Sequence, residues 1–189
     1  MKKFILATAI LATITSGTIS AQESNEGETY GNTLNLGVGI GYYGYVGHAL
    51  PVVHADFEFN VARNFTLAPF ITVYTYKNYY YWGNPNNPYK NYYYRQTVIP
   101  IGVKGSYYFD EILHAGSKWD FYLAGSLGFA IRKTVWESGY YGEATVIHNS
   151  TSGIYGDGHI GTELHLNDNI GLFLDLSTGI STFGLAIHL

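Results

Sequence analysis

From residue 33 to the C-terminus the chain alternates, position by position, between apolar residues and polar or small ones. A period of two is the signature of a strand whose two faces meet different surroundings. Leu34, Leu36, Val38, Ile40 and Tyr42 share one face of a first strand, with Asn35, Gly37, Gly39 and Gly41 on the other. Val53, Ala55, Phe57, Phe59 and Val61 oppose His54, Asp56, Glu58 and Asn60 in a second. A third spans 65–76, with both faces apolar enough to leave its orientation open. Five more follow around 99–107, 121–132, 154–166, 170–177 and 183–189, and no segment keeps helical spacing over ten residues. The links between them alternate in length: short at 62–64 and 167–169, medium at 110–118, long at 77–95 and 133–152. Eight strands with tight turns at one end and longer loops at the other predict an antiparallel up-and-down barrel.

Alternation does not say which face points outward; composition does. Only 13% of the 189 residues are charged, against 47% hydrophobic and 17% aromatic. Soluble domains carry about a quarter charged residues, so this chain has too few for a water-facing coat. The polar faces hold Asp56, Glu58, Lys104, Arg132, Asp157, Glu163 and Asp175 among Gly and Ala. These seven fit the narrow interior of an eight-stranded barrel, as a lumen ion network, with the apolar faces toward lipid. His54, His159, His165 and His188 join that inner set. Tyr42, Tyr43, Tyr74, Tyr76, Tyr107, Tyr108, Phe109 and Trp119 lie near strand ends, where interfacial aromatic girdles are expected.

Residues 1–21 read as a secretory signal. Lys2 and Lys3 precede an apolar run from Phe4 to Ile14, and Ser16, Gly17, Ser20 and Ala21 supply a small-residue cleavage region. Residues 22–32 are polar and acidic and read as a disordered lead, so the barrel domain is 33–189. The absence of Cys excludes disulfides and thiolate metal sites. A formal net charge of −4 gives nothing to draw the chain to nucleic acid. The His residues are scattered, and neither a metal site nor a cofactor is expected.

The segments LNLGVGIGYY, IPIGVKGSYYF, YLAGSLGFAI and LHLNDNIGLFLDLS, with the closing FGLAIHL, resemble small outer-membrane barrels of the OmpA/OmpX type. Porin-like barrel domains of this kind are common in Bacteroidota. The resemblance covers about 33–189 and implies a bacterial outer-membrane location, periplasmic termini, lipid as the surrounding partner and the longer loops outside. It leaves the oligomeric state open.

For function, the strongest feature is the segment 77–95. Tyr79, Tyr80, Tyr81, Trp82, Tyr89, Tyr92, Tyr93 and Tyr94 flank a GNPNNP tip, so the two strands should continue past the membrane as a hairpin. Trp136, Tyr140 and Tyr141 come from the next long loop. Rigid amphipathic rings of this kind make binding surfaces, and the expected function is a non-enzymatic surface barrel, structural or adhesive, with a carbohydrate or protein ligand. Two alternatives stay open. A wet path through the lumen would make a small-solute channel. His148-Asn149-Ser150 with Glu163 is similar to the His-x-Ser and later Glu of outer-membrane lipid A deacylases, where Ser attacks an ester and His accepts its proton.

Overall fold

The computed structural model describes Tyr30, 32–41, 48–49, 51–142 and 151–189. The signal at 1–21, nearly all of the lead at 22–32, and Tyr42, Tyr43, His148, Asn149 and Ser150 lie outside these residues. The elements are β1 (Thr33–Gly41), β2 (His48–Ala49), β3 (Val52–Ala62), β4 (Phe65–Asn84), β5 (Asn87–Tyr108), a helical turn at Asp110–Leu113, β6 (Trp119–Trp136), β7 (Thr151–Asn167), β8 (Ile170–Ser177) and β9 (Ile180–His188). The two-residue β2 pairs with Tyr76 and Lys77 of β4 and adds nothing to the wall.

The other eight strands close on themselves. Every sequence neighbour pairs antiparallel, β1 pairs with both β3 and β9, and β4 pairs with β5, so within the barrel wall each of the eight strands has a partner on both sides. Closure is what a sheet needs in hydrocarbon, where an unpaired backbone N–H or C=O has no water to bond. Where the wall is tightest, backbone approaches backbone at paired glycines. A Cβ on Gly102 would overlap the Leu127 carbonyl, and one on its partner Gly128 would overlap that of Ile101.

The exterior settles which way the faces point. Leu36, Val38, Val53, Phe57, Ile71, Val103, Leu123, Leu127, Phe129, Ile160, Leu172, Leu174, Phe183 and Leu185 all face outward, Leu127 with 71% of its surface exposed. Asp56, Glu58, Lys104 and Asp175 face inward and are buried. A water-soluble barrel would have these faces reversed, because the buried charges carry a desolvation cost and the exposed apolar band carries its own. The molecule is a transmembrane barrel. On β4 the outward apolar run Phe65, Leu67, Pro69, Ile71 and Val73 covers nine positions, matching the 9–11 residues a tilted strand needs to cross.

The strand whose orientation was open, β4, buries Thr66, Ala68, Phe70, Thr72, Tyr74 and Tyr76. This corrects the girdle assignment at three places. Tyr74 and Tyr76 point into the lumen by the parity of β4, and Tyr108 does so by the parity of β5, whereas Tyr107 and Trp119 face outward as expected. Phe70, Tyr74, Tyr76, Val98 and Tyr155 fill the lumen from its middle toward the hairpin end, and Tyr108 and Tyr122 fill the end that carries the short turns. Tyr30 closes that end: its ring stacks on Tyr108 at 4.1 Å and its hydroxyl donates to Asp110 at 2.9 Å.

Candidate functional site: an aromatic hairpin above a plugged lumen

Between inner charges and outer loops, the barrel offers two kinds of site. The lumen is built first by register. Lys104 of β5 reaches Asp56 of β3 at 3.2 Å and Asp175 of β8 at 3.7 Å, bridging opposite walls. His54 bonds Asp56 at 2.8 Å and Thr72 at 2.7 Å. His159 lies between Asp157 and Asp175, 2.7 Å from each through different ring nitrogens. Both nitrogens face carboxylates, so the ring bridges the two acids. Tyr122 donates to Asp175 at 3.0 Å, and Tyr155 to Asp157 at 2.6 Å. Glu58 accepts from Tyr108 at 2.8 Å and from Thr66. Asn35 donates to Asp56 at 2.9 Å and reaches Glu58 at 3.4 Å.

Of the seven charges expected to share one network, five therefore meet: Asp56, Glu58, Lys104, Asp157 and Asp175. Arg132 is half-buried on the same inward face of β6 but farther toward the hairpin end, in register with Val98. Glu163 belongs to a separate group at the short-turn end, with His165, His188 and Asp120. Sequence reasoning missed the neutral members Asn35, Thr66, Tyr108, Tyr122 and Tyr155. Their inward parity was the available signal.

Little space is left between these groups. The cavity lined by His54, Phe70, Thr72, Lys104, Tyr155 and His159 measures about 10 Å³, roughly room for one water. A solute path would have to displace the aromatic filling.

Of the esterase alternative only Glu163 lies among the described residues, since His148 and Ser150 fall outside them. Glu163 lies twelve positions along β7 from Thr151, the first strand residue after His148 and Ser150. At ~3.3 Å per residue that is about 40 Å, and Glu163 points into the opposite end of the barrel.

The hairpin forms as expected. β4 and β5 run 20 and 22 residues and remain paired from Phe65–Tyr107 to Asn84–Asn87, with Pro85 and Asn86 as the turn. About half of each strand therefore projects beyond the apolar belt. Thr75 and Thr97, hydrogen-bonded at 3.1 Å, and the outward pair Lys77 and Arg95 mark the belt's upper boundary.

Strand parity divides the eight candidate aromatics of β4 and β5 into two groups. Tyr80, Trp82, Tyr92 and Tyr94 face the barrel axis and pack on the last residue of β6 and the segment after it. Trp136 stacks on Tyr140 at 3.9 Å and meets Tyr94 at 5.0 Å and Tyr80 at 6.2 Å. Tyr140 meets Trp82 and Tyr92 at 5.3 Å each. Tyr92 is fully buried there, and burial pushes the Tyr94 phenol up. These rings hold the hairpin upright. Tyr79, Tyr81, Tyr89 and Tyr93 occupy the opposite face, in edge-to-face or tilted pairs at 6.4 Å (Tyr79–Tyr93) and 5.9 Å (Tyr81–Tyr89). Each is 57–65% exposed, and Tyr141 is 75% exposed.

No protein-family model matches the chain, and no curated protein matches it. Among solved structures it is similar to a de novo designed transmembrane β-barrel, with a TM-score of 0.44 and 15% identity over 85% of this chain and 98% of the other. It is also similar to Ail, the attachment invasion locus protein of Yersinia pestis, in complex with the heparin analogue sucrose octasulfate (TM-score 0.40, 6% identity, 82% and 90% covered). A structure of Ail in a phospholipid bilayer nanodisc gives a TM-score of 0.39 at 12% identity, covering 86% and 99%.

Proposed function

We propose that this chain is a non-enzymatic protein of the bacterial outer membrane that binds a carbohydrate or protein ligand at the cell surface through its aromatic hairpin. The observation that carries this reading is the row Tyr79, Tyr81, Tyr89 and Tyr93. Four rings stand exposed on a paired β-ribbon, beyond the Lys77–Arg95 boundary of the apolar belt, while the rings behind them brace the ribbon. A braced ribbon presents its side chains at low ordering cost, and exposed tyrosines combine a flat apolar face with a hydroxyl. An aromatic patch that neither lipid nor protein covers is the usual mark of an interaction site. In this reading the hairpin end faces the exterior and the short turns and both termini face the periplasm, after export by a cleaved signal at 1–21.

The lumen serves the same reading as a rigid plug. Its charges pair with one another and the cavity beside Lys104 and His159 has room for about one water, which disfavours the channel alternative.

The test is binding by nanodisc-embedded protein to a glycan array and to immobilised extracellular-matrix proteins. Tyr79→Ser, Tyr81→Ser, Tyr89→Ser and Tyr93→Ser combined should abolish binding without altering the barrel's gel mobility. Binding that survives the quadruple substitution refutes the assignment.

A further inference from the structure

Glu163, His165 and His188 lie at the short-turn end of the lumen, Glu163 buried and the two histidines partly exposed. The two histidines are brought together by barrel closure: β7 pairs with β8 and β8 with β9, so His165 and His188 come from strands that are one apart. Their rings lie 4.9 Å apart, and one ligand atom from each of the three residues falls within 4.8 Å of the others. His188 Nε2 is 2.8 Å from the Glu163 carboxylate, and His165 Nδ1 is 4.0 Å from the same oxygen.

The outward nitrogens matter as much as the inward ones. His165 Nε2 is 2.8 Å from Asp120, and His188 Nδ1 is 3.0 Å from the Thr33 hydroxyl. Each ring thus has one nitrogen held by an oxygen behind it and the other turned toward the shared carboxylate. Metal-binding histidines are held in this way, a rear partner fixing the tautomer while the other nitrogen is aimed at the site; here His188 Nε2 is bonded to Glu163, a contact that the metal would replace. The backbone supplies the space, since a Cβ on Gly171, opposite His165 on β8, would overlap the Glu163 carboxylate.

We propose that Glu163, His165 and His188 form a binding site for a divalent transition-metal ion of the zinc type, supported by Asp120 and Thr33. Two imidazoles and a carboxylate are a borderline donor set that suits zinc, with a fourth position for water. Reaching the ~3.3 Å spacing of tetrahedral ligands at ~2.0 Å takes side-chain rotations that bring His165 closer and open the 2.8 Å contact between His188 and Glu163. The charge also balances, because a divalent ion over neutral histidines matches Glu163 and Asp120. Bound there, the metal would clip β9 to β7 across β8, beside the β1–β9 seam that closes the barrel.

The test is calorimetric titration of zinc chloride into EDTA-stripped protein in micelles. Wild type should bind one zinc per chain. His165→Ala and His188→Ala should each weaken binding at least tenfold, and Asp120→Asn by about 10–100-fold. His114→Ala, on the exposed turn after the helical segment, should bind as wild type. Zinc binding absent from wild type, or unchanged in the His165→Ala, His188→Ala double variant, overturns the site. X-ray absorption on zinc-loaded wild type is independent of whether the variants fold. It should show two imidazoles in the metal's shell, and a shell of oxygen alone overturns the proposal.

Discussion

Lys104 is the cation at the centre of the lumen, and removing it is the sharpest test of how the interior holds together. Lys104→Met keeps the stem's length and apolar volume but deletes the charge that faces Asp56 at 3.2 Å and Asp175 at 3.7 Å. Both carboxylates are almost fully buried. Breaking a buried ion pair from one side costs about 3–5 kcal/mol, because the remaining charge is left uncompensated. Here Asp56 retains His54 and Asn35, and Asp175 retains His159 and Tyr122. The loss should therefore fall near the lower end, about 3 kcal/mol, or roughly a hundredfold in the unfolding equilibrium. Urea unfolding in micelles, followed by tryptophan fluorescence and gel mobility, measures it. Adding Asp56→Asn to Lys104→Met removes the orphaned charge and should recover at least half of the loss. Lys90→Met removes an exposed partner 3.8 Å from Glu137 and should cost less than ~1 kcal/mol. If Lys104→Met stays within ~1 kcal/mol of wild type, or the double variant is no more stable than the single, the lumen is not held by this ion network.

Three further outcomes follow from the geometry. Gly102→Ala or Gly128→Ala forces a methyl into the facing backbone carbonyl and should destabilise the barrel by at least 1–3 kcal/mol in the same urea assay. Trp136→Ala removes ring contacts to Tyr80, Tyr94 and Tyr140, worth about 0.5–1.5 kcal/mol each; the hairpin tip should then be cut faster by protease while the membrane-embedded part stays protected. Planar-bilayer recordings of wild type should show no conductance above background, since the central cavity holds about 10 Å³.

How much of this was legible depended on what each face had to do. Strands such as β3 and β8 carry charge on one face and aliphatics on the other, so His54-Asp56-Glu58 and Asp175 announce the lumen directly. β4 does not, because its inner face is itself apolar: Phe70, Tyr74 and Tyr76 fill the lumen by bulk rather than by charge. The parity of Lys104 on β5 already placed Tyr108 inside, and the same rule would have moved Tyr74 and Tyr76 there had one inward residue of β4 been identifiable. In the hairpin the eleven aromatics were readable as a group, but their separation into bracing and exposed rings required the packing of Trp136 and Tyr140. The meeting of His165 with His188 was not legible at all. They stand far apart along the chain, and only the β7–β8–β9 register places them side by side.

The central claim is that the apolar faces meet lipid and the charged faces are enclosed. A chain without cysteine allows single spin labels at chosen positions. Leu127→Cys labels the outward face of β6, and Ser126→Cys labels the lumen face one residue away. In bilayers the label at 127 should be relaxed strongly by oxygen and weakly by a water-soluble nickel complex, while the label at 126 should be shielded from both. A label at 127 that responds to the nickel complex as a water-exposed site does would contradict the account.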